Sequence, residues 1–303
     1  MDRPRIAITT CSQRDDYVLD DDPVLARAFE SVGCDAPILD WDDPAADWSG
    51  FDAVLIRSTW DYFERRAEFE TWLERVDRES LLLNPLEVVH ANLDKRYLLD
   101  LERAGVPIVP TELIEPVEPT EPHDTGERRT PRAIAAARGW ERVAIKPLLA
   151  GAARGLLVAD GDDPAIDTHA KALLGSGPAL VQRFIPSVTE RGELSVVLIE
   201  GEAACAVRKT PRPGDLRVQV EHGGIYELAE PSPVAIEVAQ RTLACFPGEP
   251  LYARIDLLDP DGERPLVIEA ELVEPELFFR MTESCTARFV DAVLARIATP
   301  ARP

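Results

Sequence analysis

The 303-residue chain is short of cysteine, histidine and lysine, and each shortage removes a class of chemistry. Its five cysteines (Cys11, Cys34, Cys205, Cys245, Cys285) are far apart, odd in number and without metal-ligand spacing. They read as reduced thiols of a cytoplasmic protein, not as a disulfide framework. Four scattered histidines and the lack of any HExxH, GxSxG or paired CxxC leave zinc-hydrolase and serine-hydrolase readings without support. No Gly-Lys dipeptide occurs, so there is no Walker A loop. Gly175-Ser176-Gly177-Pro178 begins like a dinucleotide fingerprint but lacks the third glycine and precedes a strand. Apolar runs such as Ala53–Ile56 and Val196–Ile199 are strand-sized, far below the roughly 18 residues of a membrane span. The N-terminus has no apolar signal-peptide core. Basic residues number 33 against 55 acidic ones, a net charge of −22. Such a surface repels phosphate backbones and anionic lipid, which argues against nucleic acid and membranes as partners.

What remains is enough for a packed enzyme. Apolar residues make up 45% of a length that allows two domains or one large α/β enzyme. Only four of the basic residues are lysines: Lys95, Lys146, Lys171 and Lys209. The acidic, lysine-poor composition suits either a high-salt cytoplasm or a GC-rich genome.

Periodicity predicts alternating elements and hence α/β architecture. Strands are expected over Arg5–Thr9, Ala53–Arg57, Arg142–Pro147, Ala179–Phe184, Leu194–Glu200, Glu202–Val207, Leu251–Leu258 and Pro265–Val273. Helices are expected over Pro23–Val32, Arg66–Val76, Asn92–Ala104 and Pro233–Ala244, with Gly105 closing the third. The Pro, Glu and Thr-rich stretch Glu115–Pro131 has no hydrophobic period and reads as a loop or mobile linker.

The last two strands carry the clearest chemical signal. Ala253, Ile255 and Leu257 alternate with Tyr252, Arg254 and Asp256, while Ile268, Ala270 and Leu272 alternate with Glu269 and Glu271. Period two puts the acids on one face. A hairpin turning near Asp261–Gly262 sets Asp256 opposite Glu269, so three carboxylates converge unless a cation separates them. All-oxygen donors suit Mg²⁺ or Mn²⁺; a solvated acidic face is the plain alternative. Upstream, the apolar strand Val143–Lys146 ends in lysine and runs into Ala150-Gly151-Ala152-Ala153-Arg154-Gly155, a small-residue loop able to close its N–H groups over phosphates. Lys95 heads a helix.

In this order the motifs resemble the ATP-grasp superfamily, in its glutathione-synthetase-like branch. Asp94-Lys95 followed by Gly105-Val106-Pro107 resembles the first lysine helix, Ala144-Ile145-Lys146-Pro147 the second ATP lysine, and Gly151–Gly155 the phosphate loop. Gln182, Arg183, Phe184 and Ile185 resemble the adenine-binding hinge, with Glu193 as the ribose contact. Arg208, Lys209 and Arg217 resemble the basic residues around the transferred phosphate, and Asp256, Glu269 and Glu271 the ligands of two Mg²⁺ ions. Glutathione synthetases typically carry asparagine where this chain has Glu271. That departure, Leu272–Phe279 and Arg57-Ser58-Thr59-Trp60-Asp61-Tyr62 look more like the D-cycloserine synthetase group, the O-ureido-D-serine cyclo-ligases.

The resemblance implies a Rossmann-like preATP-grasp domain over 1–89, then a two-lobed ATP-grasp domain, α+β in its C-terminal part, divided into 90–182 and 183–303. It implies Arg57, Ser58 and Asp61 as grips on an amino-acid-like substrate, although Ser58 or Thr59 capping a helix over a core Trp60 explains the same residues. The activity implied is ATP-dependent carboxylate–amine ligation through an acyl phosphate, in a cytoplasmic protein that is free to form a homo-oligomer. A phosphotransferase on the same fold and a non-catalytic nucleotide-binding module are the rival readings.

Overall fold

A computed structural model describes residues 3–11, 21–116, 129–151, 153–262 and 264–299. The elements are β1 (Ile6–Thr10), α1 (Asp21–Ser31), β2 (Ile38–Asp40), β3 (Ala53–Ser58), α2 (Arg66–Glu79), β4 (Leu81–Leu83), α3 (Leu86–Asn92) and α4 (Tyr97–Arg103). They continue with β5 (Thr111–Ile114), α5 (Pro131–Arg138), β6 (Arg142–Pro147), β7 (Leu157–Asp160), α6 (Pro164–Leu174), β8 (Ala179–Arg183) and α7 (Ser187–Glu190). The last are β9 (Glu193–Ile199), β10 (Glu202–Thr210), β11 (Ile225–Leu228), α8 (Pro233–Leu243), β12 (Tyr252–Leu258), β13 (Leu266–Glu271) and α9 (Glu283–Ala298). The expected mixed α/β fold is observed. Most of the linker-like stretch, 117–128, lies outside the described residues.

Three sheets organise the chain. The first is parallel, in the order β2-β1-β3-β4. The second is antiparallel, β5-β8-β6-β7, and buries Val143, Ile145 and Val181 against Ile134 of α5 and Ile166 of α6. The third, β11-β10-β9-β12-β13, is also antiparallel. Its Val196, Leu198, Ala253 and Ile255 pack against Ala235, Val238 and Ala239 of α8, and its Val197, Ile199 and Tyr252 against Phe289 and Val293 of α9. The latter cluster also takes in Ile6, Ile8, Leu25 and Phe29, so one apolar core joins the first sheet to the third. Buried Asn84 adds directional bonds: its amide donates to the carbonyls of Tyr252 and Leu272, and its Oδ1 accepts from Leu251 N at 2.6 Å.

Local chemistry sets the helix starts. Thr130, Asp163 and Ser232 each cap a helix through the side-chain oxygen, and each is followed by proline at the first helical position.

Two expectations need correction. Of the single helix expected over Asn92–Ala104 only the later part forms, as α4; Asn92 is the last residue of α3, and 93–96 turn between the two. Asn92 is pinned by bonds to Ala270 O and Leu272 N, and Lys95 N donates to Leu148 O instead of to the preceding helical turn. The alternation of β13 is also interrupted. Asp256 faces Glu269 as expected, but Leu257 faces Val267, so Ile268 is a bulge residue. A bulge turns its side chain to the other face; Val267 joins the α8-side core in its place.

Candidate active site

A cleft of about 570 Å³ lies where the second and third sheets face each other. The second sheet contributes Ala144 and Lys146, because Val143 and Ile145 alternate into the core behind them. The third contributes two adjacent rungs on its α9-side face. One is Ser195–Asp256–Glu269 and the other Val197–Arg254–Glu271, each running across β9, β12 and β13. Facing residues on neighbouring strands interact directly, so the register decides which charges meet.

Those charges are matched by the protein's own cations. Arg254, buried, bonds Asp256 Oδ1 at 3.0 Å through Nε and Glu271 Oε1 at 2.5 Å through Nη2. Lys209 lies between Glu193 and Asp256, 3.2 Å from Asp256 Oδ2, and Ser195 Oγ donates to Asp256 Oδ1 at 2.6 Å. Lys95 reaches from the break between α3 and α4 to Glu269 Oε1 at 2.9 Å and to the Ala150 carbonyl at 2.7 Å. The expected open cluster of three carboxylates is therefore not what forms. Among the described residues no group of three His, Cys, Asp or Glu side chains stands ready to hold an ion.

The electrostatics follow from burial against pairing. Burial opposes charge on Asp256, yet Arg254 and Lys209 hold its carboxyl well below the usual range. Burial likewise opposes charge on Glu269, and Lys95 and Lys146 bring it down. Glu193 and Glu271 go the other way: burial pushes each up to about 7 despite Lys209 and Arg254, which are shared with Asp256. Burial pushes Glu274 up to about 8, helped by Glu271. Lys95 is raised by Glu269 against its burial, whereas burial lowers Lys146.

Of the residues singled out from sequence, Lys95, Lys146, Gly151, Gln182, Arg183, Phe184, Ile185, Glu193, Lys209, Arg217, Asp256, Glu269 and Glu271 all line this cleft. Five others do not: Gly155, Arg208, Arg57, Ser58 and Asp61. Gly155 stands just behind the wall with φ +69, and a Cβ there would meet Pro147 Cδ at 3.1 Å. Arg208 points to the α8-side face, one residue out of phase with Lys209, and donates to Arg191 O. Arg57 is 1% exposed, under the Tyr252 and Phe279 rings, and donates to Pro275 O at 2.7 Å. Ser58 bonds Asp22 and Thr10.

Asp61 is also turned inward, accepting from Trp41 Nε1 at 2.7 Å. Arg217 reaches the cleft already held by Asp215 through two bonds of about 3 Å.

Sequence reading missed several lining residues: Arg254, Tyr226, Glu274, Glu276, Arg280, Trp60 and Phe63. Only Arg254 carried a signal, as the lone cation on an acidic strand face. Ile268 lines the cleft beside Leu258 because of the bulge. The phosphate-loop candidate reaches the first domain: Arg154 bonds Glu64 Oε1 at 2.5 Å and lies 5.2 Å from the Phe63 ring centre. Ala152 of that loop lies outside the described residues.

Comparison with known proteins places this geometry. Residues 6–84 match the family described as D-cycloserine synthetase DcsG, N-terminal domain, and residues 127–249 match the prokaryotic glutathione synthetase ATP-grasp domain. The cycloserine biosynthesis protein DcsG of Streptomyces lavendulae is 30% identical over 299 residues, covering 91% of this chain and 94% of its own. The chain belongs to the D-cycloserine synthetase family of ATP-grasp enzymes. A crystal structure of D-cycloserine synthetase DcsG superposes with a TM-score of 0.82 at 28% identity, covering 97% of this chain and 99% of that one. Glutathione synthetase of Prochlorococcus marinus is 27% identical over 172 residues, 56% of this chain and 54% of its own. D-alanine–D-alanine ligase from Bacillus anthracis shares the fold at 11% identity, with a TM-score of 0.65 over 97% of each chain. As an ATP-grasp ligase of this family, the protein uses ATP to form a carbon–nitrogen bond. No described helix is long and apolar enough to cross a membrane.

Proposed function

We propose that the enzyme activates the carboxyl group of an amino-acid-like substrate as an acyl phosphate, and that an amine, in the same molecule or a second one, then displaces the phosphate. The observation that carries this reading is the meeting of Lys95, Lys146, Arg254, Glu269 and Glu271 in one cleft. A carboxylate is a poor electrophile. Transfer of the γ-phosphoryl group to its oxygen releases ADP, and attack of nitrogen on the acyl carbon then releases phosphate. Lys95 and Lys146 neutralise the triphosphate, and Arg254 and Lys209 face the oxygen charge that grows as the acyl phosphate forms and collapses. No side chain forms a bond to the substrate, consistent with the absence of a nucleophile–base pair among the described cleft residues.

Adenine is assigned to the hinge Gln182–Ile185, between Ile268 and Leu258 on one side and Ala144 on the other, with Glu193 as the ribose contact. Gly151 lets the loop backbone approach the phosphates, while Gly155, behind the wall, supplies the positive φ that closes the loop against Pro147. Mg²⁺, as two ions, or Mn²⁺ in their place, fits the donor set: Glu269, Glu271 and Asp256 offer only oxygen. Glu269 and Glu271 are the accessible donors, since Asp256 is 2% exposed and enclosed by Ser195, Lys209 and Arg254. When bound, the metal supplies positive charge to the triphosphate oxygens. Arg57, Ser58 and Asp61 act as positioning residues: through Pro275, Arg57 holds the segment that presents Glu274 and Glu276 to the cleft.

The test is ADP release screened against amino acids, dipeptides and ureido-amino acids, with mass spectrometry of the products. A product lighter than its substrates by one water supports ligation, and a ureido-amino acid that loses water alone identifies cyclisation. A stable phosphorylated product identifies a phosphotransferase and overturns the ligase mechanism.

A further inference from the structure

Eighty residues separate Cys205 from Cys285, yet β10 and α9 bring their sulfurs to 3.2 Å. Cys285, in the first turn of α9, is fully buried, and Cys205 is half-buried on the facing strand. The other three cysteines are placed differently. Cys11 donates to Ser58 O, Cys245 is exposed with its thiol on Arg241 O, and Cys34 is buried behind α1. A disulfide needs a separation of about 2.05 Å, so the pair lies about 1.2 Å from bonding distance. Arg288, one helical turn along α9, donates to Ala203 O and so ties α9 to the start of β10 beside the pair. Cys205 is the more exposed of the two sulfurs and the one an oxidant reaches first, while buried Cys285, whose thiol the neighbouring thiol and burial push up, lies behind it.

We propose that Cys205 and Cys285 are a reversible oxidation site, converted by a peroxide-class oxidant into a disulfide that staples β10 to α9. The Cys205 thiolate takes one oxygen from hydrogen peroxide, giving a sulfenic acid and hydroxide, which leaves as water with the proton that Cys205 gave up. The Cys285 sulfur then attacks the Cys205 sulfur. The S–S bond forms, the S–O bond breaks, and the departing hydroxide leaves as water with the Cys285 proton. Two thiols are oxidised and one peroxide is reduced to two waters. The staple bears on the cleft from two directions. Lys209 lies four residues along β10, and α9 anchors the segment that carries Glu274, Glu276 and Arg280.

The experiment treats the full-length protein, in a Cys245→Ser background that prevents cross-linking between molecules, with hydrogen peroxide. Denaturing thiol counts and non-reducing peptide mapping follow. The expected result is the loss of two thiols, a linked peptide pair containing Cys205 and Cys285, a raised Tm, and reversal of all three by dithiothreitol. Adding Cys205→Ser should remove the linked pair and the Tm shift. Recovery of Cys205 as sulfinic acid with Cys285 still a free thiol would overturn the proposal. So would two-thiol loss without the 205–285 peptide.

Discussion

Arg254 and Glu271 stand directly opposite one another on β12 and β13, with 2.5 Å between Nη2 and Oε1, while the same guanidinium holds Asp256 on its own strand. One buried cation thus separates two of the three carboxylates on the acidic face. Replacing it by an uncharged residue leaves half-buried Glu271 without a cation and buried Asp256 with Lys209 alone, which costs up to about 3–5 kcal/mol. Arg254→Met should therefore lower the denaturation midpoint sharply and abolish ADP release. Arg254→Lys should recover part of the stability but little activity, because an ammonium cannot span both carboxylates. Chemical denaturation and turnover on the same samples check this, and full activity in Arg254→Lys would contradict it.

Lys146 offers a cleaner test of the nucleotide site. The residue is half-buried in the cleft wall, where desolvation lowers its proton affinity. Lys146→Ala should cut ATP turnover by roughly 10²-fold or more while leaving the fold unharmed. Lys171, on the last turn of α6 and outside the cleft, is the control, and Lys171→Ala should leave turnover unchanged. Equal losses in both variants would remove the assignment of Lys146.

Glu269 separates the metal reading from a merely structural one. It is held by Lys95 at 2.9 Å, so Glu269→Gln removes a charge from that pair and a donor from the proposed Mg²⁺ set. ADP release should fall to near background and not recover at high magnesium. Glu271→Asn, which restores the residue type of glutathione synthetases, should retain partial activity with a higher magnesium requirement. Wild-type turnover of Glu269→Gln at low magnesium would refute the assignment.

Glu274 should leave a pH signature. Its carboxyl is pushed up to about 8 in the folded protein, from 4.5, by burial and by Glu271. The folded state keeps this proton after the unfolded chain has lost it, so the stability it contributes falls as pH rises from about 4.5 to about 8. In Glu274→Gln that slope disappears. Denaturation midpoints at pH 5, 6, 7 and 8 should show the variant gaining on wild type up to about 8 and levelling off beyond. A constant offset at every pH would rule the shift out.

Much of the site is legible in the linear chain because it depends on local periodicity. Alternation in Tyr252–Leu258 puts Asp256 on one face, hairpin symmetry sets it against Glu269, and of the four lysines Lys95, Lys146 and Lys209 line the cleft while Lys171 does not. The alternating α/β order followed from the same kind of pattern. Tertiary structure decided what periodicity cannot reach. The bulge at Ile268 depends on which residues of two strands pair, and it moved one side chain from the core to the cleft. The break between α3 and α4 depends on Asn92 and Lys95 finding distant partners on β13 and beside β6. Arg57 looked like a substrate grip at a strand end, but packing turned it beneath Tyr252 and Phe279 to hold Pro275. The acidic face, which alternation and hairpin register mark as calling for a cation, already contains Arg254 and Lys209, because a low-dielectric interior keeps carboxylates charged only when opposite charge is brought to them.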